Sequence, residues 1–211
     1  MKEFAQIKNI IFDLGAVIIP IDFNKTFQAF SDLSNLSIEE IKRRYMASNI
    51  FADFEKGLIG NYKFILEVRT LLGLSSDISD QDIVDAWNVL LLQIPKERIE
   101  RIQELATRYR LFLLSNTNPI HITEVHGILH SNTGIDRLEK IFEKVWYSYD
   151  LGLIKPHTNI YETVLKQKKL NAAETVFLDD NADNVAGAKK IGIEALLVTD
   201  ENNLLQLLKH A

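Results

Sequence analysis

The chain of 211 residues predicts an α/β fold, a Rossmann-like parallel-sheet core with a small helical domain added to it, on two observations. Three short apolar runs stop abruptly in polar groups: Lys8–Phe12 at Asp13, Leu111–Leu114 at Ser115 and Asn116, and Thr175–Leu178 at Asp179 and Asp180. Such runs read as buried strands, and in an open parallel sheet their carboxyl ends lie side by side, where ligands bind. Strand-like and helix-like segments then alternate from about residue 95 onward, whereas almost everything between the first two runs is helix-like. The expected organisation is a discontinuous core over residues 1–19 and 95–211, with a helical cap over 20–94.

Each element has a local reason. The first strand ends on Asp13 and turns at Gly15. Ser37-Ile-Glu-Glu40 reads as a capping box, and Leu36 with Ile41 as a hydrophobic staple, for a helix over 37–47. Phe51 to Gly57 reads as an irregular loop closed by a glycine turn and reaching over the site. Residues 61–72 carry Phe64, Ile65, Val68, Leu71 and Leu72 on one side and stop at Gly73, a left-handed cap. A helix over 80–92 places Ile83, Val84, Trp87, Leu90 and Leu91 inward, which makes Trp87 a packing residue. Pro95 suits the first turn of a helix over 95–109, with Ile99, Ile102, Leu105 and Ala106 as its inner stripe. The remainder reads as strand 111–115, a helix and irregular chain to 142, strand 144–148, helix 157–169, strand 175–179, helix 182–191, strand 194–198 and helix 202–209.

Composition narrows the function. A formal charge of −5 without a long basic run argues against a nucleic-acid surface, and Lys166-Gln-Lys-Lys169 reads as a solvated helix face. Cysteine is absent, which excludes thiolate catalysis and any thiolate-ligated metal. The apolar stretch 10–21 is interrupted by Asp13 and lacks a cleavage site, and no run approaches the ~20 apolar residues that span a bilayer. The expectation is a cytoplasmic protein with neither a membrane nor a nucleic-acid partner; the sequence assigns no oligomeric state.

Four carboxylates, Asp13, Asp179, Asp180 and Asp183, fall at or just past strand ends that should converge. Anions crowded in this way repel unless a cation sits among them; a hard, oxygen-liganded ion is expected, Mg²⁺ where phosphate is also bound. Lys155, in Gly152-Leu-Ile-Lys-Pro156, brings a positive charge to the same rim, while Ser115 and Asn116 add neutral donors. Nucleophile, charge neutralisation and hydrogen-bond donors together are the requirements of phosphoryl transfer.

Taken in order, Ile11-Phe-Asp-Leu-Gly15, Leu114-Ser-Asn-Thr117, Lys155-Pro156 and Phe177-Leu-Asp-Asp-Asn-Ala-Asp-Asn184 resemble the four motifs of the haloacid dehalogenase superfamily of phosphohydrolases. The resemblance covers the whole chain, including a small helical cap inserted after the first motif. Longer stretches, among them Ile21-Asp-Phe-Asn24 and Asp150-Leu-Gly152, are similar to the subgroup containing bacterial α-D-glucose-1-phosphate phosphatase, which implies a small sugar phosphate as substrate. The resemblance implies that Asp13 attacks phosphorus and becomes an aspartyl phosphate. It implies Mg²⁺ held by the Asp13 carboxylate, the Gly15 carbonyl and Asp180, with Asp179 helping directly or through water. Ser115 and Asn116 would bind phosphoryl oxygens, and Lys155 would balance charge. Asp183 either supports the metal or serves the start of a helix.

One position departs from the pattern. Most phosphatases of this superfamily carry a second Asp two residues after the nucleophile as general acid and base, and here that position is Gly15. Losing such a group typically costs ~10²–10⁴ in rate; water, Asp22 or Glu55 of the cap could replace it. Glu55 could also bind sugar hydroxyls, with Phe51 and Phe54 either flanking the ring or holding the cap together. A zinc site from His121, His126 and His130 is disfavoured for want of an acidic partner; His157 should start a helix and His210 lie exposed. Two other functions remain open on sequence: carbon–halogen hydrolysis by the same Asp13, which leaves the Asp179-Asp180 pair unexplained, and a non-catalytic phosphometabolite- or partner-binding protein, motivated by Gly15.

Overall fold

A computed structural model describes residues 6–199. Five strands form one parallel sheet in the order β3-β2-β1-β4-β5, with β1 Asn9–Phe12, β2 Arg110–Ser115, β3 Lys144–Tyr147, β4 Thr175–Asp179 and β5 Glu194–Leu197. β1 is central because all four of its residues are buried, as a strand covered on both faces requires. Alternate side chains serve opposite faces. Ile10, Phe12, Leu111, Leu113, Val176 and Leu178 pack on one side with α6 (Lys96–Leu105) and α7 (Pro119–Thr133). Ile11, Phe112, Leu114 and Phe177 pack on the other with α9 (Thr158–Lys168) and α10 (Ala182–Lys189). The expected α/β architecture, with helices on both faces, is therefore present.

Between β1 and α6 the chain builds five helices: α1 Phe23–Ser34, α2 Ile38–Ala47, α3 Ile50–Glu55, α4 Asn61–Leu72 and α5 Asp80–Asn88. They surround an apolar cluster of their own, including Phe30, Ile41, Phe51, Phe54, Phe64, Val68, Ile83 and Trp87, to which α7 contributes Ile120. The chain leaves and re-enters the sheet side by side: the Asp22 N–H donates to the Leu90 carbonyl at 2.9 Å, and the Leu92 N–H to the Pro20 carbonyl at 3.0 Å. Buried Arg98 of α6 fastens the same junction, its guanidinium donating to the carbonyls of Val17 and Ile18.

Several local expectations are corrected. Residues 50–55 form a short helix, α3, where an irregular loop was expected, because Phe51 and Phe54 both turn into the helical layer's core. α5 ends at Asn88, not 92; Leu90 and Leu91 are drawn into the junction, where Leu91 pairs with Ile21. Pro95 caps α6 rather than entering its first turn, and the helix ends at Leu105. The capping box of α2 is half made: Ser37 accepts from the Glu40 N–H, but the Glu40 carboxylate is taken by Arg43 and Arg44. Ser148 begins the short helix α8, Ser148–Leu151, rather than ending β3. The helix expected over 202–209 and His210 lie outside the described residues.

Candidate active site

Parallel register brings the chemistry together. Phe12 pairs with Leu113 of β2 and Leu178 of β4, so the next residue, Asp13, stands between the ends of both neighbours. Its N–H donates to the Leu178 carbonyl at 2.8 Å, prolonging the ladder by one bond and fixing the carboxylate's direction. Asp179 is the last residue of β4 and Ser115 the last of β2.

Lys155 arrives from the loop between α8 and α9. Its ammonium donates to Asp13 Oδ1 at 2.6 Å, Asp179 Oδ2 at 2.7 Å and the Leu114 carbonyl at 3.1 Å, which uses all three hydrogens. The lysine is only 3% exposed. Burial alone would lower its pKa, but Asp13 and Asp179 outweigh that and hold it above the usual lysine range. The loop carrying it is pinned by Asn116, whose Oδ1 accepts from the Lys155 N–H and whose Nδ2 donates to the Lys155 carbonyl, both at 3.0 Å. It is pressed from below by α10, where a Cβ on Gly187 would lie 2.3 Å from the Pro156 carbonyl oxygen.

Asp13, Asp179 and Asp180 present carboxylate oxygens within 4.8 Å of one another. Burial pushes the Asp13 carboxyl up, to about 7; Lys155 pulls it down and Asp179 pushes it up again. Asp180 is likewise raised, by burial and then by Asp179. Three carboxylates face one ammonium, and this donor set fits a hard divalent cation with oxygen ligands, which would relieve the excess negative charge. The carboxylates are not equivalent. Asp179 is fully buried and saturated: it accepts from Lys155, from the Asn181 N–H at 2.8 Å and from Asn184 Nδ2 at both oxygens. Asp180, one residue on, is exposed.

A cleft opens beside this cluster, lined by the residues next to Asp13 and at the end of β2. Gly15, Ser115 and Asn116 form its core side, Ile21, Phe23, Trp87 and Glu55 its helical side, and His121 of α7 closes the back. Burial pushes the Glu55 carboxyl up to about 7, with Lys155 pulling the other way. Burial drives His121 down to about 3, so it is a neutral imidazole stacked 4.7 Å from the Trp87 ring, with Nδ1 2.9 Å from Asn88 Oδ1.

Asp13, Gly15, Ser115, Lys155, Asp179 and Asp180 thus share one rim, with Glu55 facing it across the cleft. Other sequence candidates fall elsewhere. Asp183 is an exposed first-turn residue of α10 outside the carboxylate cluster. Asp22 caps α1 by accepting from the Asn24 N–H. Phe51 and Phe54 are core residues, Phe54 stacked 4.1 Å from Phe64, so they do not flank the cleft. Trp87 packs as expected but also presents an edge to the cleft. His121, His126 and His130 lie along α7 and form no metal-type cluster among the described residues; His157 caps α9.

Three residues were missed. Asn184, at the third position of α10, reaches back to Asp179; the spacing of an Asn from the strand end could have suggested it. His121 sits in the cleft wall. Ser148, completely buried, accepts from the Thr117 N–H at 3.0 Å and donates to the Glu55 carbonyl at 2.5 Å, and nothing in the sequence announces that link.

A family profile for haloacid dehalogenase-like hydrolases matches residues 7–192. The chain is 30% identical over 189 residues to the D-ribitol-5-phosphate phosphatase of Bacteroides thetaiotaomicron, covering 90% of each protein. It superposes with a TM-score of 0.82, at 31% identity and over 90% of this chain and 93% of the other, on a HAD family enzyme of that organism in complex with magnesium and inorganic phosphate. A HAD-like family hydrolase from Porphyromonas gingivalis matches with a TM-score of 0.86, at 28% identity and over 97% of each chain. Among the described residues no helix is long and apolar enough to cross a membrane. Sequence motifs, strand register and these relatives converge: the chain belongs to the haloacid dehalogenase-like hydrolase family.

Proposed function

We propose that the chain, a phosphoric monoester hydrolase of this family, is a Mg²⁺-dependent phosphatase of a small sugar or polyol phosphate and works through an aspartyl phosphate on Asp13. One observation carries the reading: a buried carboxylate at the end of the central strand, 2.6 Å from the Lys155 ammonium, in a cluster with two further aspartates. The sugar or polyol class is supported by the relative that acts on D-ribitol 5-phosphate, and glucose 1-phosphate belongs to the same chemical range.

The Asp13 carboxylate, the Gly15 carbonyl and Asp180 would hold the ion, which when bound supplies positive charge to the phosphoryl oxygens. Asp179, saturated by Lys155 and Asn184, orients this set rather than binding directly. Lys155 keeps Asp13 ionised and aimed. The Ser115 hydroxyl takes a phosphoryl oxygen; the Asn116 side chain mainly fixes the lysine loop and leaves one amide hydrogen for the substrate. Residues 20–94 act as the cap on the core 1–19 and 95–211, closing the leaving-group side of the cleft and contributing Glu55.

Phosphate release is to be measured for aryl phosphate, ribitol 5-phosphate and glucose 1-phosphate, with and without magnesium and chelator. Activity lost to chelator and restored by magnesium is the expected result. Asp13→Asn retaining full activity while folded would refute the nucleophile.

A further inference from the structure

The cleft lacks the acid that would protonate a departing alkoxide, since Gly15 stands where an aspartate would be. We propose that Glu55, delivered across the cleft by the helical layer, is the proton-transfer group of this enzyme. The proposal rests on the phosphatase reading above and deepens it.

Elimination among the cleft's own residues leads there. Two of its lining side chains are titratable, Glu55 and His121. His121 is committed to the helical layer, with Nδ1 2.9 Å from Asn88 Oδ1 and its ring stacked on Trp87 at 4.7 Å. Asp22 is engaged in capping α1 and is not part of the lining. The Glu55 carboxylate takes no hydrogen bond from any described residue.

Its position is also built. Phe54, next in sequence, is buried and stacked on Phe64. The Glu55 carbonyl accepts from Ser148, whose hydroxyl also binds the Thr117 N–H just past Ser115 and Asn116. Two residues later Gly57 lies so close to the core that a Cβ would stand 2.2 Å from the Tyr149 carbonyl oxygen. Two core contacts therefore fix the backbone that carries Glu55 next to the Ser115-Asn116-Thr117 loop, and its side chain lines the cleft.

The steps balance without a further reactant. As an Asp13 oxygen bonds to phosphorus and the ester P–O bond breaks, the Glu55 acid gives its proton to the leaving oxygen. The Glu55 carboxylate then takes a proton from water. That water bonds to phosphorus, the P–O bond to Asp13 breaks, and phosphate leaves with the Asp13 carboxylate restored.

Glu55→Gln is to be compared with wild type on p-nitrophenyl phosphate, whose leaving group needs little protonation, and on ribitol 5-phosphate, whose alkoxide needs it. In single-turnover experiments the rate of alcohol or phenol release is expected to fall by on the order of 10²–10⁴ on the alkyl ester and by at most about tenfold on the aryl ester. Equal losses on both esters, or none on either, would overturn the proposal. Glu55→Gln with Gly15→Asp is the second arm. A Cβ at Gly15 meets only Ile21 Cδ1 at 3.6 Å, an ordinary contact, and recovery of alkyl-ester turnover is expected. Failure of wild type to release phosphate from any ester refutes the phosphatase reading instead, which keeps the two distinguishable.

Discussion

The sheet rim and the helical layer supply the site in different ways. On the rim, Asp13, Ser115 and Asp179 are placed by backbone register: three neighbouring parallel strands end within two residues of one another, which brings these side chains to one edge. In the helical layer, Glu55 is placed by packing, through Phe54 on Phe64, the Ser148 hydroxyl and the close approach of Gly57 to Tyr149. The rim is therefore rigid and generic, suited to chemistry on the phosphoryl group. The layer is held by few, specific contacts and is suited to handling the leaving group.

This contrast can be broken on the rim first. Asp13→Asn is expected to lose at least about 10⁴ in kcat on aryl and alkyl esters alike, since a nucleophile serves every substrate. A loss confined to alkyl esters would erase the distinction from Glu55. Next in size, Lys155→Met strips the buried cation from Asp13 and Asp179, and urea unfolding without magnesium should record a loss of about 3–5 kcal/mol. A stability change below about 1 kcal/mol would mean the rim is not held by this ion pair.

In the layer, Gly57→Ala both crowds Tyr149 and forces an L side chain to a φ of 70°, with an expected cost of about 1–3 kcal/mol and a larger kcat loss on alkyl than on aryl esters. Gly60→Ala, with open space and an ordinary backbone, should cost a few tenths of a kcal/mol, about the usual surface effect. In pH dependence the two cleft groups have opposite signs. Burial raises the folded pKa of the Glu55 carboxyl to about 7 from 4.5, against the pull of Lys155, so its contribution is present at low pH and lost as pH rises through 7. Glu55→Gln should therefore gain stability relative to wild type between pH 5 and pH 8. His121 has its folded pKa lowered to about 3 from 6.5, so its contribution is complete at pH 7 and lost as pH falls below about 6.5. His121→Gln should close on wild type by about 2 kcal/mol between pH 7 and pH 5, read from urea midpoints.

The legible part of the molecule is the part written in local pattern. An apolar run ending in a carboxylate located Asp13 and Asp179; the place of Gly152-Leu-Ile-Lys-Pro156 just after a strand located the lysine; the alternation after residue 95 pointed to the sheet. Less legible was anything decided between segments. Phe51 and Phe54 read equally well as a ring clamp or as core, and only the helical cluster around Phe64 and Trp87 settles them inward. Asp183 and Asp179 look alike in sequence, yet a strand terminus buries one and a helix surface exposes the other. Asn116 was assigned to the substrate, whereas most of its amide is used to clasp the lysine loop.

By itself the sequence determined the sheet, the family and the three strand-end carboxylates that meet, while grouping the helix residue Asp183 with them, because strand ends and parallel register are backbone properties that short runs encode. Only the tertiary structure decided which of those carboxylates is saturated, which histidine is neutral and which residue of the helical layer faces the cleft. Those outcomes depend on burial and on hydrogen bonds between residues as far apart as Glu55 and Ser148, and no local pattern carries that information.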